Sequence, residues 1–140
     1  MTEIDFYSGC DDKLHTACRL VAKAVRQGLK IMIYTTDAAM TAQLDKLLWT
    51  FSPTDFIPHC RADGKLAEVT PVVLGHMVAT LPHDDVLLNL DVDNPLFFSR
   101  FRRLVEITGV TAEDVQAARK RYRFYRDRGY EIRHHKLRPE

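Results

Sequence analysis

Two hydrophobic periods alternate along this chain of 140 residues, and this alternation limits the possible folds more than any other feature. Short apolar runs occur at residues 4–7, 30–34, 71–75 and 86–90. The last two are continuously apolar, as are parallel strands that helices cover on both faces. Stretches with a 3.6-residue period follow the first two runs. The pattern predicts a Rossmann-like, doubly wound α/β domain, with a mainly parallel sheet flanked by helices.

Capping residues and glycines set the predicted helix ends. Asp11 or Asp12 begins a first helix that stops at Gly28, and Thr36 or Asp37 begins a second. Residues 50–68, rich in proline and glycine, read as irregular.

The second half of the chain is predicted to hold two more helices. Pro95 permits a helix over residues 96–103, and residues 104–107 read as the last strand. Thr111 caps a final helix that runs to about residue 128 and stops at Gly129.

One domain is expected at this length, with no linker or repeat to mark a second. We assign residues 1–132 to a single α/β domain and residues 133–140 to a basic, loosely ordered tail. The longest apolar runs of about five residues fall far short of the roughly 20 that span a bilayer. Three cysteines without CxxC spacing, and no apparent secretory signal, favour a reduced cytoplasmic compartment.

The sequence carries weak signals for catalysis or cofactor binding. The loop at residues 8–13 lacks the glycines and the Lys-Ser or Lys-Thr pair of phosphate loops. Asp91 and Asp93 follow a strand, where carboxylates can hold magnesium, but a solvated turn is favoured. His59, Cys60, His76 and His83 lack metal-ligand spacing. We therefore expect no catalytic residues, no metal and no cofactor.

Charge is nearly balanced overall, with 20 basic and 19 acidic residues, but the C-terminal helix is a local positive pole. At about 100° per residue, four of its side chains share one arc, and Ala118 and Tyr125 form an adjacent arc suited to face the sheet. Arginine forks beside an aromatic ring suit an acidic peptide with an apolar end, or single-stranded nucleic acid. A solvated basic helix with buried tyrosines is the alternative. The four residues are Arg119, Tyr122, Arg123 and Arg126.

Nearly the whole chain resembles the chi subunit of bacterial DNA polymerase III holoenzyme. The most specific segment is residues 121–130, Arg-Tyr-Arg-Phe-Tyr-Arg-Asp-Arg-Gly-Tyr. The other matching segments are residues 5–7, 17–24 with Gly28, 44–51 with 56–59, 71–75, 86–90, 97–101 and 105–107.

This resemblance implies a Rossmann-like fold without nucleotide-binding or catalytic residues, in a protein that connects two others at the replisome. One partner is the psi subunit of the clamp-loader assembly. The other is the acidic C-terminal tail of single-stranded-DNA-binding protein, so that contact with single-stranded DNA is indirect.

The family's tail-binding residues carry over to the arc that helical geometry isolates, with one addition. Arg123 stands where lysine also occurs in the family, and Val115 stands where some members have a basic residue. Arg121 and Arg128 are interpreted as bystanders. The implied tail-binding residues are Arg119, Tyr122, Arg123, Arg126 and Gly129, and the implied psi contacts are Trp49, Phe56 and Pro58.

Two functions of other classes remain open at this point. A direct single-strand binder would bind bare oligonucleotide with steep salt dependence. A nucleotide-using enzyme would be stabilised by ATP or NAD with magnesium.

Overall fold

A single parallel sheet organises the molecule. A computed structural model describes residues 1–50, 58–61, 71–75 and 84–136. Seven strands in these ranges pair exclusively in parallel, in the order β3-β4-β2-β5-β6-β1-β7. The doubly wound α/β prediction is confirmed. The strands are β1 (Glu3–Cys10), β2 (Ile31–Tyr34), β3 (His59–Arg61), β4 (Val72–Gly75), β5 (Val86–Asn89), β6 (Arg103–Gly109) and β7 (Ile132–Lys136).

The helices of the described residues begin at side chains that cap their free N–H groups. Asp12 accepts a hydrogen bond from the backbone of His15 at 3.1 Å, and Thr111 accepts one from the backbone of Asp114 at 3.2 Å. Asp37 accepts two from the first turn of its helix, at 2.9 and 3.2 Å. None of the helices in the described ranges combines the length and apolarity needed to cross a bilayer. They are α1 (Lys13–Arg26), α2 (Ala38–Thr50) and α3 (Ala112–Asp127).

The sheet separates two apolar clusters. On one face α1 packs mainly over β6 and β2, and α2 over β3 and β4. On the other face α3 and a short 3-10 helix, Phe98–Arg100, cover Ile4, Phe6 and Leu104. Because successive side chains of a strand point to opposite faces, Tyr7 packs with the α1 side. Strands β1 and β7 form one end of the sheet, and α1 packs on β6 and β2 more than on either of them, which leaves part of this face open.

The structure differs from the sequence predictions in the second half of the chain. The helix expected over residues 96–103 is only the 3-10 helix, because Phe98 and Phe101 are buried at a three-residue spacing while Leu96 is exposed. Strand β6 is not the last strand. Residues 132–136, divided between the domain and the expected loose tail, instead form β7 beside β1. Strand β3 lies within the region read as irregular.

Candidate functional site

A buried acid on the sheet anchors α3. Glu106, on β6, is fully buried and accepts a hydrogen bond from Arg121 Nε at 3.0 Å and from the Tyr125 hydroxyl at 2.6 Å. Asn89 Nδ2 lies 3.1 Å from both of its carboxylate oxygens. Arg121 Nη1 also donates to the backbone oxygen of Val92 at 2.9 Å. These bonds fix how α3 is rotated on the sheet.

Arg121, interpreted as a bystander to tail binding, has a structural role that the sequence did not predict, because its guanidinium compensates a buried carboxylate. Burial raises the pKa of Glu106, and Arg121 and the neighbouring donors act in the opposite direction. Burial and the adjacent acid raise the pKa of Tyr125, so its hydroxyl stays a donor. Arg128, in contrast, caps its own helix end, since it donates to the Phe124 carbonyl and covers that ring.

The outer side of α3 forms one wall of a cavity of about 620 Å³. Its floor is apolar, because Phe6 and Ala118 are buried there and Val115 lies beside them. The remaining walls come from the carboxyl ends of β1 and β6 and from β7. The other lining residues are Ser8, Gly9, Thr108, Gly109, Val110, Arg119, Tyr122, Arg123, Arg126 and His134.

Aromatic rings hold Tyr122 in place within this cavity. Its ring meets Phe6 edge-on at a centroid distance of 5.6 Å. It stacks against His134 at 5.8 Å and an interplanar angle of 23°. The Tyr122 ring is therefore a preorganised apolar contact rather than a mobile surface group.

Three guanidinium groups line the same cavity. Arg126 is bonded to the neighbouring Asp127 at 3.2 Å, but both side chains are more than half exposed, so this pair is weak. Arg119 and Arg123 are exposed and form no ion pair within the described part of the chain. The arrangement can hold carboxylates in arginine forks while an apolar group occupies the floor.

The structure places four of the five implied tail-binding residues on this cavity. Gly129 lies outside the lining and ends α3 with a φ of +83°, a conformation that favours glycine. Val115 contributes an apolar wall. Ala118 and Tyr125 face the sheet, as the helical arcs predicted.

Sequence reasoning missed the parts of the cavity that come from the sheet. Phe6 and His134 belong to strands β1 and β7, which pair in register at these two residues. Ser8 and Gly9, which the sequence places in a loop that lacks the pattern of a phosphate loop, belong to the carboxyl end of β1 and line the cavity. These residues could have been sought with the rule that parallel strands place their carboxyl ends at one edge of the sheet, where ligands bind.

The other candidate chemistry does not assemble in the described ranges. Asp91 accepts bonds from the Thr36 amide at 3.1 Å and hydroxyl at 2.6 Å, which supports the turn interpretation. His59 lies 3.2 Å from Asp45. Burial raises the pKa of the Cys18 thiol to about 11. Those ranges contain no group of three metal-ligand side chains, and His76 and His83 lie outside them.

The implied psi contacts are only partly described. Trp49 is 57 % exposed near the end of α2, and its ring meets His59 at 4.8 Å. Pro58 is half-buried, and Phe56 lies outside the described residues. Trp49 thus offers an exposed aromatic surface far along the chain from the cavity.

Comparisons with known proteins agree over almost the entire sequence. Residues 1–133 match the family described as "DNA polymerase III chi subunit, HolC". A DNA polymerase III subunit chi from Pseudomonas aeruginosa is 39 % identical over 98 % of this chain and 98 % of its own length. A DNA polymerase III subunit chi from Haemophilus influenzae is 27 % identical over 83 % of this chain and 81 % of its own length. That from Escherichia coli is 25 % identical over 82 % and 79 %.

Solved structures with low sequence identity share the fold. The second domain of the DEAD-box helicase Mss116p, bound to an RNA duplex, aligns with a TM-score of 0.68 at 13 % identity. The alignment covers 100 % of this chain and 65 % of that one. The Pyrococcus furiosus Hef helicase domain has a TM-score of 0.58 at 13 % identity, over 77 % of this chain and 28 % of that one.

Proposed function

We propose that this chain, which belongs to the DNA polymerase III chi subunit family, joins two proteins of the bacterial replisome without catalysing a reaction. It bridges the psi subunit of the clamp-loader assembly and the acidic C-terminal tail of single-stranded-DNA-binding protein. The family itself makes the chain an accessory subunit of DNA polymerase III, active in DNA replication. The protein carries out this bridging in the bacterial cytoplasm.

The observation that carries the tail-binding part is the convergence of four predicted residues on one cavity. Arg119, Tyr122, Arg123 and Arg126 all line it, around an apolar floor. A peptide that is acidic and ends in an apolar residue with a free carboxylate matches both properties of this cavity.

The binding step requires only noncovalent contacts. The arginine forks hold carboxylates of the tail, and the terminal side chain lies against Tyr122 and the buried Phe6. The rings that hold Tyr122 reduce the ordering cost of binding. Because the guanidinium groups are exposed, added salt weakens the encounter.

Titration calorimetry with an acidic peptide that ends in phenylalanine tests the tail site. We expect Arg119→Ala and Arg126→Ala each to weaken binding by about 1–3 kcal/mol, the scale of a lost charge-assisted hydrogen bond. Lys120→Ala, which removes an exposed cation of the same helix outside the cavity, is the matched control. Amidation of the peptide's terminal carboxylate should also weaken binding. Unchanged affinity for both arginine variants would contradict the assignment.

The psi contact rests on the exposed ring of Trp49, with Phe56 and Pro58 as its implied neighbours. Co-purification with the psi subunit of the same bacterium tests this contact. We expect Trp49→Ala to lose psi while it retains the acidic peptide. Retention of psi would reject Trp49 as a contact.

A further inference from the structure

A second groove lies on the opposite face of the sheet from the cavity beside α3 that we propose binds the acidic tail, the tail cavity. Phe6 and Tyr7 are consecutive in β1, so their side chains point to opposite faces. Phe6 contributes to the tail cavity, whereas Tyr7 lines a groove of about 400 Å³ against the flank of α1. This is the open end of the sheet, where α1 leaves part of β1 and β7 uncovered. The proposed tail-binding function uses no residue of this groove.

The helix wall of the groove carries a row of cations. Arg19, Lys23 and Arg26 line it, and all three side chains are exposed. Their spacing of four and three residues places them on one side of α1, about 6 and 4.5 Å apart along its axis. None of the three forms an ion pair within the ranges that the structure describes. Their charges are therefore available to an anionic ligand.

The sheet beside the groove carries a stacked pair of aromatic rings, the Tyr7–His135 platform, of which Tyr7 lines the groove itself. Tyr7 and His135 are register partners on β1 and β7, and their rings stack at 4.5 Å with an angle of 15°. Both are half-buried, so part of the stack remains accessible. The nearby acid Asp5 does not repel an anion strongly, because it accepts bonds from Arg133 at 3.0 Å and from His135 at 2.9 Å.

The acids at the rim are fewer than the cations. Glu3 and Glu131 are exposed near Arg133, and Glu3 also lies 3.7 Å from Arg103. With Asp5 these are three acids against five basic side chains. The five are Arg19, Lys23, Arg26, Arg103 and Arg133.

We propose that this groove binds single-stranded DNA directly. Phosphates contact the row of cations on α1, and an unpaired base packs against the part of the Tyr7–His135 ring pair that remains exposed. A cationic groove beside aromatic rings is the arrangement that proteins use for single strands without sequence preference. A duplex keeps its bases stacked inside and cannot use the platform. An acidic peptide would also satisfy the cations, so its binding to the groove is one outcome of the test.

Fluorescence anisotropy with a labelled oligothymidylate of about 16 nucleotides tests the groove. The main variant is the triple substitution Arg19→Ala, Lys23→Ala and Arg26→Ala, which preserves helix propensity. We expect it to lower affinity at low salt by about tenfold or more. The slope of log K against log salt should fall by about 2, as expected for three lost phosphate contacts. A control with equal charge change replaces the exposed Lys46, Arg100 and Lys120 by alanine, and should bind the oligonucleotide like the parent.

The platform is tested separately from the charges. Tyr7→Leu keeps an apolar side chain but removes the ring, and should weaken binding by at least about fivefold. His135→Ala, on the edge strand, tests the same stack if the Tyr7 variant fails to fold. Far-UV circular dichroism establishes that each variant is folded.

The proposal is overturned if the parent protein does not bind the oligonucleotide, or if the triple variant binds it as well as the control variant does. It is also overturned if the triple substitution weakens binding of the acidic peptide instead of the oligonucleotide. Arg119→Ala is measured in parallel with both ligands. Loss of peptide binding with retained oligonucleotide binding separates the groove from the tail cavity, so either proposal can fail without the other.

Discussion

The two sides of α3 carry the same residue types and place them in opposite environments. On the inner side Arg121 and Tyr125 are buried and bonded to Glu106. On the outer side Arg119 is exposed and Tyr122 half-buried, and both line a cavity. The difference comes from the sheet, since only the inner side meets a buried acid. The arginine and tyrosine residues of α3 therefore divide into an inner set that supports the fold and an outer set that lines the cavity.

The largest effect should come from Arg121→Ala. Removing one partner of a buried ion pair leaves an uncompensated charge, so we expect the free energy of unfolding to fall by about 3–5 kcal/mol. Urea denaturation followed by circular dichroism measures this change. If Arg121→Ala lowers the free energy of unfolding by less than substitution of an exposed arginine does, the inner and outer sides of α3 do not differ in their contribution to stability.

A double variant provides the test if Arg121→Ala is too unstable for its free energy of unfolding to be measured. Glu106→Gln combined with Arg121→Met removes both charges and keeps similar volumes. Because no lone charge remains buried, this double variant should be more stable than Arg121→Ala. A double variant less stable than the single would contradict the role assigned to the pair.

Tyr125→Phe should have the next largest effect. It deletes only the hydroxyl that donates to Glu106 at 2.6 Å, a bond to a group in a buried ion pair. We expect a loss of about 1.5–3 kcal/mol in the free energy of unfolding. The matched control on the outer side is Tyr122→Phe, which should leave stability nearly unchanged because the ring contacts remain. Equal losses for the two variants would remove the distinction between the sides.

Gly129→Ala should cost about 1–2 kcal/mol of stability, because its φ of +83° is unfavourable for residues with a Cβ. An added Cβ would meet no atom within 4 Å, so the cost is conformational. Urea denaturation gives the loss, and calorimetry with the acidic peptide shows whether binding changes with it. Reduced peptide affinity in a variant that remains fully folded would indicate that Gly129 acts in binding beyond ending the helix.

The smallest stability effects should come from Arg119→Ala and Arg123→Ala. Their side chains are exposed and unpaired within the described ranges, so each change should stay within about 0.5 kcal/mol. The same urea experiments provide the measurement. A loss above about 1 kcal/mol would mean that the outer arginines also support the fold.

Local periodicity predicted much of this molecule, because strands and helices bury their side chains at different spacings. The rotation of α3 followed from the same rule, which assigned Ala118 and Tyr125 to the sheet. The pairing of Arg121 with Glu106 could not be predicted this way. It depends on a contact between β6 and α3, and no local pattern distinguishes that arginine from its neighbours.

Strand β7 shows a second limit of sequence reading. Its residues Ile132–Lys136 are mostly charged or histidine, since an edge strand is paired on one side only and is partly solvated. The sequence therefore resembles a solvated tail. Because residues 133–140 were predicted to be a loose tail, His134 had no predicted position relative to α3 and could not be assigned to the cavity.

The parallel direction of all the described strands has a consequence for how two partners could be held. The tail cavity includes the carboxyl ends of β1 and β6, near one edge of the sheet, whereas Trp49 lies beside His59, at the amino end of β3 on the other edge. The two proposed contacts thus lie at opposite ends of one sheet and do not compete for space. A protein that binds both proposed partners in this way would hold them at a separation fixed by the width of the sheet, and neither would displace the other.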